Sequence, residues 1–164
     1  MVLKDPDFID PPLKGYYVWE SSWEGKPDPQ DGKIKLGVQI TPFDEIYNWY
    51  KKYNGNIYVR RVNCDNELFN KNNLEEVHKL VYNKPYDIVP KDWLQALIRK
   101  DSNPQKTNRF WCSALVGCIY TKCGLLEPST DWSVLRASDF SIKYNGNLKF
   151  LDKCSLENVE TQIL

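Results

Sequence analysis

Histidine is almost missing from this chain of 164 residues: His78 is the one imidazole, and methionine also occurs once. That scarcity excludes multi-histidine metal centres and leaves a nucleophilic thiol a single candidate base in the sequence. An excess of charge is missing too, with 22 Lys plus Arg against 22 Asp plus Glu. Proteins that live on phosphate backbones carry a cationic surplus, so nucleic acid is not an expected partner. No apolar run approaches the roughly 20 residues that cross a bilayer, so no transmembrane segment is expected. The opening Met1-Val2-Leu3-Lys4-Asp5-Pro6 has neither the basic nor the long apolar region of a secretory leader. Together with an odd cysteine count, this predicts free thiols in a reducing, cytoplasmic setting.

The five cysteines stand at 64, 112, 118, 123 and 154, with no CxxC pair. On one helix, Cys112 and Cys123 share a face but lie about 16 Å apart at 1.5 Å per residue, and Cys118 points elsewhere. Three such thiols cannot close on one zinc ion, so neither metal nor cofactor is expected.

What is present suffices for a core. Hydrophobic residues make up 41% of the chain and aromatics 13%, and this length predicts one domain over residues 1–164. Met1–Leu3 reads as a short first strand, Gly15–Ser21 as a second and Ile34–Ile40 as a third, with residues 24–33 an exposed loop. Thr41-Pro42-Phe43-Asp44-Glu45 predicts a helix start with a threonine N-cap, and Asn54-Gly55 its stop near Tyr53. Asn56–Val62 reads as a fourth strand. Leu74, Val77 and Val81 form one stripe of a helix over 72–82, before Pro85. Trp93, Leu94, Leu97 and Ile98 predict a further short helix. A short helix near Val134–Ser138 and a strand at Leu148–Leu151 follow. Strands clustered early, with helices in the middle, predict an α+β fold.

The chemistry concentrates in Arg109-Phe110-Trp111-Cys112-Ser113-Ala114-Leu115-Val116-Gly117-Cys118-Ile119-Tyr120. This places Cys112 in the first turn of an apolar helix that Gly124 ends. Unpaired N–H groups and the positive end of the macrodipole favour a thiolate there, with Arg109 close by as a further cation. The bland alternative is that cysteine simply packs, which is the reading for Cys118 and Cys123. His78 lies on the flank of its helix stripe, where a half-exposed surface histidine competes with a general base. Arg60-Arg61 beside Tyr58 lacks the aromatic-glycine pattern of RNA-binding strands and reads as a surface ladder. Tyr86 either lines a pocket near the thiol or packs a loop.

Several stretches resemble one family. Phe110-Trp111-Cys112-Ser113-Ala114-Leu115-Val116, running to Lys122-Cys123-Gly124-Leu125-Leu126, resembles the "F-C-S-E-L-V … G-L-L" helix of circularly permuted papain-like, NlpC-related cysteine hydrolases. That family includes bacterial lipoprotein-like and poxvirus members and, more distantly, lecithin retinol acyltransferase. Gly37-Val38-Gln39-Ile40-Thr41-Pro42-Phe43-Asp44-Glu45 is similar to its "G-V-x-I-x-P-L-x-E" passage. Asn56-Ile57-Tyr58-Val59-Arg60-Arg61, Lys84-Pro85-Tyr86-Asp87 and Ala137-Ser138-Asp139-Phe140 fall in the expected order.

The resemblance implies a small antiparallel sheet or partial barrel packed on a central cysteine helix, with a cleft between Cys112 and the strands. It implies Cys112 as nucleophile and Glu20 as the polar residue that orients an imidazole. Without the resemblance, Glu20 reads as a solvated strand residue. The family's strand histidine falls upstream of Met1. The expected activity is hydrolysis of an amide, ester or thioester in a peptide or an acyl-bearing small molecule or lipid. The alternative is a non-catalytic binding or structural module on the same scaffold.

Overall fold

The computed structural model describes residues 1–144, 146–151 and 153–164. Strands β1 (Val2–Lys4), β2 (Tyr16–Pro27) and β3 (Ile34–Pro42) form an antiparallel sheet in that spatial order. Val2 faces Val18 across β1–β2, while Trp19 faces Ile40 and Glu20 faces Gln39 across β2–β3. Period-2 alternation turns Trp19, Ser21, Val38 and Ile40, all buried, toward the core. β2 runs further than its sequence pattern suggests, past a bulge between Trp23 and Pro27, so the expected loop 24–33 shrinks to 28–33.

That loop is not wholly exposed either, because Asp28 is buried. Its carboxylate accepts from Lys35 Nζ at 2.8 Å, from the Gln30 backbone at 2.9 Å and from the Ile40 backbone at 3.3 Å. A buried charge persists only when it is paired and hydrogen-bonded, so these bonds hold the hairpin tip inward.

Helix α1 (Phe43–Lys52) follows β3 directly. The expected Thr41 N-cap is not formed: Pro42 occupies that position, and no side chain caps the helix. Thr41 remains a buried strand residue whose hydroxyl donates to Glu20 instead. Asn54, at φ 53°, supplies the stop. The expected strand 56–62 is two short pieces, β4 (Tyr58–Val59) and β5 (Val62–Asn63). Their partners are β7 (Thr161–Gln162) and β6 (Ser155–Leu156), returning from much later in the chain.

Helix α2 (Lys71–Val81) buries Leu74, Val77 and Val81, the predicted stripe. Helix α3 (Pro90–Ile98) forms where predicted but buries Asp92 and Ala96, and leaves Trp93, Leu94, Leu97 and Ile98 exposed. Helix α4 (Cys112–Lys122) is the centre of the molecule, packed on β2, α2 and the turn at 132–134. It is buried nearly all round, which explains its continuous apolar sequence. Val134–Ser138 is not one helix but falls across two 3-10 turns, Trp132–Val134 and Ala137–Phe140. Leu148–Leu151 contributes a single bridge, Phe150 to Leu126, rather than a strand. Among the described residues the architecture is α+β, with a small antiparallel sheet and four α-helices. No helix among the described residues is long and apolar enough to cross a membrane.

One glycine is essential to the route into the α4 start. Segment 84–86 runs against β3, with Val38 N–H donating to the Lys84 carbonyl at 2.9 Å and Tyr86 N–H to the Leu36 carbonyl at 3.1 Å. Gly37, at φ 149°, sits under it, and a Cβ there would press on the Lys84 carbonyl oxygen and lie 2.8 Å from Pro85 Cα. Both neighbours are backbone and cannot swing aside. Gly37→Ala is therefore expected to lower unfolding free energy by about 2–4 kcal/mol, measured by denaturant titration.

Candidate functional site

Cys112 is exposed and is the first residue of α4, as its sequence context predicts. The residues on either side of it are tied down. Trp111 Nε1 donates to the Leu135 carbonyl at 3.0 Å, and Ser113 Oγ donates to the same oxygen at 2.8 Å. One residue earlier, the Phe110 carbonyl accepts from Ser21 Oγ at 2.7 Å. With its neighbours turned inward, Cys112 is the position left facing out. No side chain caps this helix end, so its first N–H groups remain open to an approaching ligand.

An open cavity of about 320 Å³ adjoins the thiol. Its walls are mostly apolar: Tyr86, Trp93, Ala96, Leu97, Trp111 and Leu135. Tyr86 thus lines the pocket, and burial pushes its phenol pKa up, helped by Cys112. α3 is held as a wall by Arg136, whose guanidinium donates to the Ala96 carbonyl at 3.0 Å and to the Leu97 carbonyl. Arg99 clasps the Asp139 carboxylate with two nitrogens, at 3.0 and 2.6 Å. Trp111, Ser113, Leu135 and Arg136 carry no sequence signal for this work, because their partners lie far away in the chain.

The cavity lies between α3, the α4 start and residues 135–137, and Glu20 is not among its walls. Arg109, expected as a cation beside the thiol, is held by carboxylates instead. It donates to Asp92 Oδ2 at 2.5 Å and lies 3.2 Å from Asp87 Oδ1. Lys106 joins this group, 2.6 Å from Asp92 and 3.0 Å from Asp101. Burial would raise the Asp92 pKa, but the hydrogen bonds and charges of Lys106 and Arg109 outweigh it and hold the carboxyl below the usual range.

Glu20 lies outside this cavity, on β2. It is half-buried, and Thr41 Oγ1 donates to its Oε1. Burial pushes its pKa up to about 7, against the lowering effect of that hydrogen bond. The Met1 amino group donates to the Trp19 carbonyl at 2.8 Å and lies within electrostatic reach of both Glu20 and Cys112.

His78 is elsewhere. Its ring packs on Phe8, Trp19 and Tyr82, and its Nε2 donates to Gln30 Oε1 at 2.5 Å. Burial lowers its pKa, and the charges acting on it are Asp28, Lys35 and Glu75, not a thiolate at 112. Among the described residues no group of three His, Cys, Asp or Glu is placed to hold a metal ion.

Two outcomes are expected. Burial pushes Cys118 and Cys123 up to about 12. Limiting iodoacetamide at pH 7.5 should therefore modify Cys112 and spare those two, as read by peptide mapping. Glu20 has a folded-state pKa raised above its unfolded value, so it binds more protons when folded. Its contribution is fully present below the unfolded pKa near 4.5 and is lost as pH rises through about 7. Glu20→Gln should remove that loss, making the variant relatively more stable at pH 8 than at pH 5 by about 2–3 kcal/mol in paired melts.

No family model, curated protein or solved structure matches this chain.

Proposed function

We propose that the chain is a thiol hydrolase of the permuted papain-like, NlpC-related kind, acting on an acyl-bearing ester, thioester or amide. The observation that carries this reading is the exposed Cys112 at an uncapped helix start, bordered by an apolar cavity. The apolar walls fit a hydrocarbon or acyl group better than a charged peptide. In the reaction the Cys112 thiolate attacks the carbonyl carbon and forms a tetrahedral oxyanion. The N–H groups at the start of α4 stabilise that oxyanion. Collapse expels the alcohol, thiol or amine, which takes a proton from the conjugate acid of the base, and water then cleaves the acyl-cysteine.

His78 does not supply that base. The β1–β2 register sets Val2 opposite Val18, so one step before Met1 falls opposite Glu20. An imidazole at that place would share the sheet face of Glu20, beside its carboxyl. A second reading, a binding module that uses the same cavity without chemistry, is favoured by the position of His78 among Phe8, Trp19 and Tyr82.

One experiment separates them. The full chain is prepared with a histidine inserted directly before Met1, and hydrolysis of decanoyl thioester and p-nitrophenyl decanoate is followed. The extended protein should hydrolyse them at least roughly 100-fold faster than the parent, the usual scale of a positioned general base. An acyl adduct on Cys112 should appear by mass spectrometry, and Cys112→Ala should abolish both. Equal rates for the Cys112→Ala variant, or binding of decanoate without turnover, would overturn the hydrolase reading in favour of the binding module.

A further inference from the structure

Cys64 lies within electrostatic reach of two further cysteines, Cys154 and Cys123. Cys64 follows β5 and Cys154 precedes β6, and the two short strands are antiparallel with Val62 opposite Leu156 and Asn63 opposite Ser155. Carried one step further, this register sets Cys64 opposite Cys154. The Glu157 N–H donates to the Arg61 carbonyl at 2.9 Å, which fixes the alternation. Pairs 61/157 and 63/155 are the hydrogen-bonded ones, and 62/156 and 64/154 are not. In non-hydrogen-bonded antiparallel pairs the Cα atoms lie about 4.5 Å apart and side chains are closest, which is within the span a disulfide accepts. The electrostatics agree: burial raises both thiol pKa values, and Cys64 is raised further by Cys154 and Asp65, Cys154 by Asp65.

The third thiol, Cys123, also borders Cys64 but is buried. Cys64 and Cys154 are both partly exposed. Cys64 lines an open surface cavity with Val62, Asn63, Asp65 and Lys153. A small reagent can therefore reach the pair without entering the core.

We propose that Cys64 and Cys154 are a reversible cross-strand dithiol–disulfide pair that bolts the returning ribbon β6–β7 to the middle of the chain. The oxidant is a low-molecular-weight disulfide such as oxidised glutathione. One cysteine thiolate attacks a glutathione sulfur, the glutathione S–S bond breaks, and one glutathione leaves as its thiolate. The second cysteine thiolate then attacks the protein sulfur of the mixed disulfide and releases the second glutathione. Two electrons and two protons pass from the protein thiols to glutathione, and one protein S–S bond remains. In a reducing compartment the pair rests open and closes as the disulfide pool rises.

The test uses the full chain carrying Cys112→Ser, which removes the exposed thiol and keeps this result separate from the hydrolase proposal. The protein is incubated with oxidised glutathione and digested without reduction. The expected result is a linked peptide pair containing Cys64 and Cys154, two free thiols fewer, and no retained glutathione. The melting temperature should rise by roughly 10 °C, reversed by dithiothreitol, because the link closes a long loop. Adding Cys154→Ser should abolish the linked pair and the thermal shift. Stable glutathione adducts on the two cysteines singly, or a Cys64–Cys123 link, would overturn the proposal. The peptide map stands without the Cys154→Ser variant should that variant fail to fold.

Discussion

A single acceptor, the carbonyl oxygen of Leu135, takes hydrogen bonds from the side chains of Trp111 and Ser113, the residues on either side of Cys112. A helix start cannot turn three consecutive side chains the same way. With the first and third directed to one oxygen, the residue between them faces outward. The same two bonds fasten the α4 start to the 135–137 segment, which forms one wall of the cavity beside the thiol. Thiol exposure, cavity position and the central packing of α4 therefore share one geometric origin. Gly117 tightens the arrangement, because a Cβ there would meet Trp132 Cβ at 3.0 Å.

Charge plays an internal part in this protein out of proportion to its balanced total. Asp87 and Asp92, both buried, form a network with the half-buried Lys106 and Arg109 between α3 and the approach to α4. Breaking such a group strands its remaining charges in low dielectric, so the network fixes where α3 can sit. Asp92 therefore occupies the inward face of α3, and the large apolar residues of that helix turn outward. Trp93 and Leu97 thereby become walls beside Cys112 instead of core.

The legible parts of the sequence were those in which one local pattern decides the outcome. The stripe Leu74, Val77 and Val81 marks α2 because its spacing has no competing reading, and Cys112 opens α4 because a polar approach gives way to a continuous apolar run. Failures arose where a distant partner overrode a local preference. Thr41 has a good capping hydroxyl, yet Glu20, from the neighbouring strand, takes it. Asn56–Val62 has the composition of one strand, yet it is divided because its partners are two short returning segments. Arg109 stands three residues before the thiol in sequence, and Asp92, on α3, claims its charge. The cavity walls were illegible for the same reason: Leu135 and Arg136 matter through bonds to residues far away along the chain.

The pairing of Tyr58–Val59 and Val62–Asn63 with segments near residue 160 has a consequence during synthesis. The β2–β3 hairpin can close as soon as its own residues emerge, since its partners are adjacent. Residues 58–63 have no such neighbour, and their backbone groups must wait until residues 155–162 have left the ribosome. Until then the nascent protein carries an unpaired edge beside a nearly complete core, a state open to strand exchange with another nascent copy.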